Sequence, residues 1–183
     1  MNAPFPAAPP PKRGMPTWLI VLLCTGGAFV VVVPLLAVIA IYGVRKYVAN
    51  AKQAEARNVV GELAKEASAA YEQSRRLCPS AVRPVPASIA MVRASRYQSS
   101  PADWAGAGAH AGFACLGFSM TEPQYYQYAY TTTDGPQGAT FDATAHGDLD
   151  GDGDVSTFTA TGTVGPAGVL VVAPLIAEEH PEE

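Results

Sequence analysis

The chain changes its hydrophobic period three times. Residues 17–44, TWLIVLLCTGGAFVVVVPLLAVIAIYGV, are apolar on every side and carry no charge. From Arg45 to about Leu77 the apolar positions narrow to a stripe. Val59/Val60, Leu63, Ala67, Ala70/Tyr71 and Leu77 recur at helical spacing. Lys52, Glu55, Glu62, Glu66, Arg75 and Arg76 take the other faces, and eight alanines between 49 and 70 favour a helix. No Gly–Pro break intervenes, so one helix is predicted, with residues 17–44 in lipid and 45–78 in the soluble part. Cys78-Pro79 ends it, because the residue before a proline is pushed out of helical conformation.

Residues 79–111 have no clear period, and Pro79, Pro84, Pro86 and Pro101 argue against long elements there. Trp104 is a candidate cover for the helix or for a sheet edge. The period then becomes two. Residues 112–119, 124–133, 138–147, 154–162 and 167–174 are predicted as strands, with Tyr126, Tyr128 and Tyr130 alternating in the second. The tyrosines fit packing and cross-strand pairs better than a binding stripe. Short connections favour an antiparallel meander. The predicted class is α+β: a long N-terminal helix packed on a small antiparallel sheet. Residues 79–175 form the head, with a Pro-rich disordered tail over 1–16 and an acidic tail over 176–183.

Composition sharpens this division. Charged residues make up 15% of the chain, against roughly 25% in a typical protein. That excludes a disordered polyelectrolyte, a coiled coil and a histone-like nucleic-acid binder. The first 46 residues hold four basic residues and no acid; the remainder holds eight basic and 16 acidic residues. An acidic head gives no basis for direct phosphate contact with nucleic acid.

The uncharged stretch of 28 residues would span about 42 Å as a helix, enough for a hydrocarbon core of roughly 30 Å. Pro34 removes one backbone donor and predicts a kink within the span. A cleaved secretory signal has a shorter apolar region of roughly 7–15 residues, so an uncleaved signal-anchor fits better. Orientation receives two opposed signals. Arg45, Lys46, Lys52 and Arg57 outweigh Lys12 and Arg13, which favours a cytoplasmic C-terminal side. Cys78 and Cys115, the only cysteine pair beyond the span, suggest a disulfide and a compartment outside the cytoplasm. Such a bond would stabilise by about 3–4 kcal/mol in the chain-entropy account.

Residues 37–57, AVIAIYGVRKYVANAKQAEAR, resemble the junction between the membrane and soluble halves of a type IV pilin helix. Pro123-Gln124-Tyr125-Tyr126-Gln127-Tyr128 and Gly147-Asp148-Leu149-Asp150-Gly151-Asp152-Gly153 are similar to segments of pilin and pseudopilin heads. The resemblance implies a head carried on the long helix and lateral packing against other pilin-like subunits or an assembly platform. It also implies where processing and assembly residues should lie. The gap-free match puts Val21 at the first mature residue, Ile20 at the cleavage-site glycine and Thr25 at the assembly glutamate. A cut after Gly14 would put Leu19 there instead. Neither Thr25 nor Leu19 supplies the carboxylate that would pair with a neighbour's amine in the membrane. The expectation is a pilin-like protein held in a bacterial inner membrane, N-terminus cytoplasmic and head periplasmic. The alternative location is a pilus or fimbrium.

Asp148, Asp150, Asp152 and Asp154 alternate through a glycine-rich turn that resembles the start of an EF-hand loop, a candidate low-affinity Ca2+ site. Thr159 occupies the position of the usual bidentate glutamate, and Asp-Gly is also common hairpin chemistry, so a purely structural turn is the other reading. His110, His146 and His180 share no metal spacing, and no nucleophile elbow, phosphate loop or HExxH occurs. An enzyme and a small-molecule substrate are not expected. The expected role is structural: a minor component of a type IV pilus or a type II secretion apparatus. The alternative is a non-polymerising periplasmic binding module tethered to the bilayer, with Ca2+ as its candidate ion.

Overall fold

A computed structural model describes Gly14, residues 16–106, Gly108, residues 110–135 and residues 138–181. The Pro-rich 1–16 tail lies almost wholly outside these residues. Helix α1 (Thr17–Ser74) is followed by a 3-10 turn (Ile89–Met91) and two short helices, α2 (Pro101–Ala105) and α3 (Gly112–Leu116). Five strands complete the chain: β1 (Gln127–Gly135), β2 (Gly138–Gly147), β3 (Ser156–Val164), β4 (Leu170–Val172) and β5 (Ala177–Glu179). The class is α+β, as the hydrophobic periods predict. The chain divides into two compact units, residues 1–46 and residues 47–183.

In the first unit α1 is uncharged from Thr17 to Val44 and continues helical through Pro34. Its most apolar stretch is unburied among the described residues. It is long and apolar enough to cross a membrane.

In the second unit α1 turns one face to the sheet. Ala56, Val60, Leu63 and Ala67 are buried there. Two of these four are alanine, and the larger Val60 and Leu63 carry most of the contact. The full burial of Val60 and Leu63 stabilises by about 1.5–3 kcal/mol each. The helix ends at Ser74, short of Cys78. The Ser74 hydroxyl accepts from the Arg76 N–H at 3.2 Å, and Arg75 takes a positive φ of 55°. A serine that bonds to nearby backbone competes with helical pairing, and the left-handed residue redirects the chain toward the Cys78–Cys115 disulfide.

β1, β2 and β3 form an antiparallel meander. Its core face alternates large and small. Tyr128, Ala145 and Phe158 lie side by side across the strands, then Tyr130, Ala143 and Ala160, then Thr132, Phe141 and Gly162. A Cβ at Gly162 would lie 2.2 Å from the Phe141 ring, and one at Gly147 would lie 2.6 Å from the Tyr126 ring. Glycine is required at both places so that a ring can lie against the backbone. Trp104, from α2, is buried edge-on to Phe113 and Phe118 at ring separations of 5.0 and 5.3 Å.

Two further segments depart from the sequence expectation. Residues 112–119 are not a strand: α3 occupies them and ends at Gly117 with φ 72°. Phe113 and Leu116 are both buried, three apart, which is helical spacing within an apolar run too short to declare its period. The acidic segment after residue 175 is not merely a tail, because β5 forms there and pairs with β3. β4 and β5 share one edge of β3. Thr159 to Gly162 on β3 is a step of three residues, while Ala177 back to Val172 is a step of five. The edge strand therefore carries two extra residues around Pro174. The opposite edge is covered by the segment before α2, where Ala81 and Val85 donate backbone N–H groups to Tyr130 and Tyr128.

Gly162→Ala is expected to destabilise the head by about 1–3 kcal/mol through overpacking against Phe141. Gly61→Ala, at an open position in α1 with nothing within 4 Å, is expected to stabilise by up to about 1 kcal/mol. Denaturant titration of the full chain in uncharged detergent micelles checks both; equal effects of the two would contradict the packing described.

Candidate functional site

The turn between β2 and β3 gathers three of the four predicted aspartates. One carboxylate oxygen from each of Asp148, Asp150 and Asp152 lies within 4.8 Å of the others. Asp154 falls outside this group. Each of the first three caps a backbone N–H further along the turn. Asp148 Oδ1 accepts from Gly151 at 2.7 Å, Asp150 from Asp152 at 3.2 Å and Asp152 from Asp154 at 2.8 Å. These bonds orient the carboxylates, and Gly151 and Gly153 at φ 87° and 105° make the reversals that other residues resist.

The turn also meets a partner with no local signature in the sequence. Asp148 is 1% exposed, and its Oδ2 lies 2.9 Å from Arg93 Nε. The N–H is not aimed along that line, so Oδ2 forms an ion pair but no aligned hydrogen bond. The Asp148 carbonyl accepts from the Ala94 N–H at 2.8 Å. One cationic side chain thus stands beside the buried end of the acidic cluster. Three clustered oxygens suit a hard cation, but Asp148 can serve one fully only when the guanidinium moves aside. His146, beside the turn in sequence, is engaged elsewhere: its Nδ1 is 3.0 Å from Thr157 Oγ1. Burial holds its pKa below the usual histidine value.

Two further polar contacts tie α1 to the sheet. Glu55 Oε1 accepts from the Tyr125 N–H and the Tyr128 hydroxyl, both at 2.9 Å. Burial pushes the Glu55 carboxyl above its ordinary range, and these two hydrogen bonds pull it partly back. Arg57 grips Glu178 of β5 with two nearly parallel bonds, Nε to Oε1 at 2.7 Å and Nη2 to Oε2 at 2.9 Å. Its guanidinium also lies 5.2 Å from the Phe158 ring centroid. The bond from Arg57 holds Glu178 below the usual carboxylate range.

The other predicted positions are also located. Cys78 and Cys115 form the disulfide, with Cα atoms 5.8 Å apart. Thr25 donates its hydroxyl to the carbonyl of Val21 within the same helix at 2.8 Å. Leu19 lies in the first turn of α1, where its N–H donates to the Pro16 carbonyl at 2.9 Å.

Because the Glu178 pKa is depressed, its contribution is fully present above the ordinary carboxyl value near 4.5 and is lost as pH falls through the depressed value. The pair is partly exposed, so Glu178→Gln is expected to lower stability at neutral pH by only about 0.5–1 kcal/mol. The loss should shrink as the solution is acidified, measured by unfolding midpoints from pH 7 to 3. A loss that stays constant across that range would refute the ion-pair account. No known protein family, curated protein or solved structure matches this chain.

Proposed function

We propose that this chain is a membrane-anchored, pilin-like structural or interaction protein. The observation that carries the reading is the single helix Thr17–Ser74. Its first part is uncharged and bare, and its second part turns one buried face to an antiparallel sheet. That division of labour suits a head carried on a bilayer-embedded stalk. The Cys78–Cys115 disulfide supports a periplasmic head, because such bonds persist in oxidising compartments. On this reading the protein sits in a bacterial inner membrane and acts as a minor component of a type IV pilus or secretion apparatus. Its role is non-enzymatic.

A second reading is favoured by Thr25 and Leu19. Thr25 spends its hydroxyl on its own helix and Leu19 is apolar, so neither offers a charged partner to another subunit's amine. The protein would then be a tethered binding module that never polymerises. Mass spectrometry of the native N-terminus in membrane and sheared-filament fractions separates the readings. A processed N-terminus in sheared filaments supports the assembly component. An intact N-terminus confined to membranes supports the tether. Absence from every membrane and filament fraction would defeat both.

Calcium belongs to the same proposal. Asp148, Asp150 and Asp152 would hold the ion, with Arg93 displaced from Asp148. Extracellular sites of this kind bind in the range of about 0.1–1 mM, so about 10 mM Ca2+ should stabilise the head by about 1–3 kcal/mol. Arg93→Gln should enlarge the thermal shift and Asp152→Asn should abolish it. No shift in either the natural chain or Arg93→Gln would show the turn to be purely structural.

A further inference from the structure

The far end of α1 opens into a cleft of about 540 Å³. Its walls include Tyr71, Arg75 and Arg76 from the helix end, Ser80 after the disulfide cysteine, and Thr132 and Asp134 from β1. Three contacts hold it in shape. The Tyr71 hydroxyl donates to the Gly168 carbonyl at 3.0 Å, which fixes the turn between β3 and β4 against the helix. The Ser80 hydroxyl accepts from the Thr132 N–H at 2.8 Å, and the two side-chain oxygens lie 3.2 Å apart. None of these contacts satisfies the charges.

Among the described residues, Arg76 has no side-chain hydrogen bond or ion pair. Arg75 has only a long bond of 3.5 Å to the Gly168 carbonyl. Asp134 shares the cleft and pairs with neither. Two basic residues and one acidic residue therefore line the same cleft without pairing with one another, in a stretch beyond residue 46 that holds twice as many acids as bases. Basic residues at a helix C-terminus do gain from the helix dipole, by about 0.3–1 kcal/mol. That accounts for a cation near the last turn. It does not account for Arg75 in a left-handed position, φ 55°, where glycine is the unstrained choice. Nor does it account for Asp134 lining the same cleft and pairing with neither arginine.

We infer that this cleft is an anion-binding site, taking a small ligand that carries a carboxylate or a phosphate. Guanidinium groups recognise both oxyanions through paired N–H donors. The volume lies within the range of small-molecule sites, about 300–1,000 Å³. The acidic remainder of the head would repel an extended polyanion, so the attraction is local to a ligand that fits between the two arginines and the β1 wall. The site is independent of whether the chain assembles or remains a tether.

The test is calorimetric titration of the full chain in uncharged micelles, at fixed ionic strength, with inorganic phosphate and separately with succinate. Saturable binding of at least one is expected, and the tighter of the two identifies the oxyanion. Arg76→Ser is expected to weaken it at least tenfold, and Arg75→Gly, which relaxes the backbone while removing the guanidinium, to do the same. Asp134→Asn is expected to tighten it several-fold. Helix capping alone predicts lower stability in the arginine variants with no dependence on the anion. Failure of both anions to bind, or unchanged affinity in Arg76→Ser and Asp134→Asn, would overturn the assignment.

Discussion

The head depends on one apolar core shared by the buried face of α1 and a sheet face of alternating large and small side chains. Ala56, Val60, Leu63 and Ala67 form the helix side of that core, and Tyr128, Tyr130, Phe141 and Phe158 supply the area. Alanine or glycine across the whole sheet would leave nothing to bury. The placement of Gly147 and Gly162 beneath rings is the same constraint seen from the strands. Everything else in the second unit is arranged around this contact: the disulfide closes the segment after α1, Trp104 plugs one side, and the chain returns to the helix through Glu178.

Polar contacts then fix which way the layers meet. Glu55 and Arg57 lie two residues apart on α1, and each reaches a different part of the sheet. Glu55 takes the start of β1, and Arg57 takes β5. The two carboxylates in these contacts, Glu55 and Glu178, shift in opposite directions. The Glu55 carboxyl is raised by burial, so its ionised form is the strained one as pH rises; the Glu178 carboxyl is lowered, so its ionised form is the favoured one. Apolar burial provides most of the stabilisation, and this pair of carboxylates sets the rotational register of helix on sheet.

How much of this could be read from the sequence varies with how local its cause is. β2 was predicted over the residues it occupies, because alternation and flanking glycines mark it on both sides. The three core tyrosines of the β1 region were legible for the same reason. Residues 112–119 were not, because a five-residue apolar run has no period long enough to separate helix from strand. β5 has no apolar alternation at all. It is a strand because Arg57, 121 residues earlier, holds Glu178 and because β3 has an open edge. The aspartates of the candidate ion site were visible as a motif, whereas Arg93 was not: nothing near it in the chain points toward Asp148. The arginines of the cleft likewise read as ordinary helix-end charges until the strand and turn that face them are in place.

The two extra residues near Pro174 have a consequence for life at high local concentration. The last edge of the sheet contains Val169-Leu170-Val171-Val172, and Val169 and Val171 are exposed. A straight, continuous strand of that composition would be a template on which other extended chains could add. The insertion interrupts it after three residues, and proline removes a donor just beyond. Were the chain held in lipid, as proposed, it would meet its own copies far more often than a protein free in solution. A broken edge would then keep those encounters from becoming irreversible.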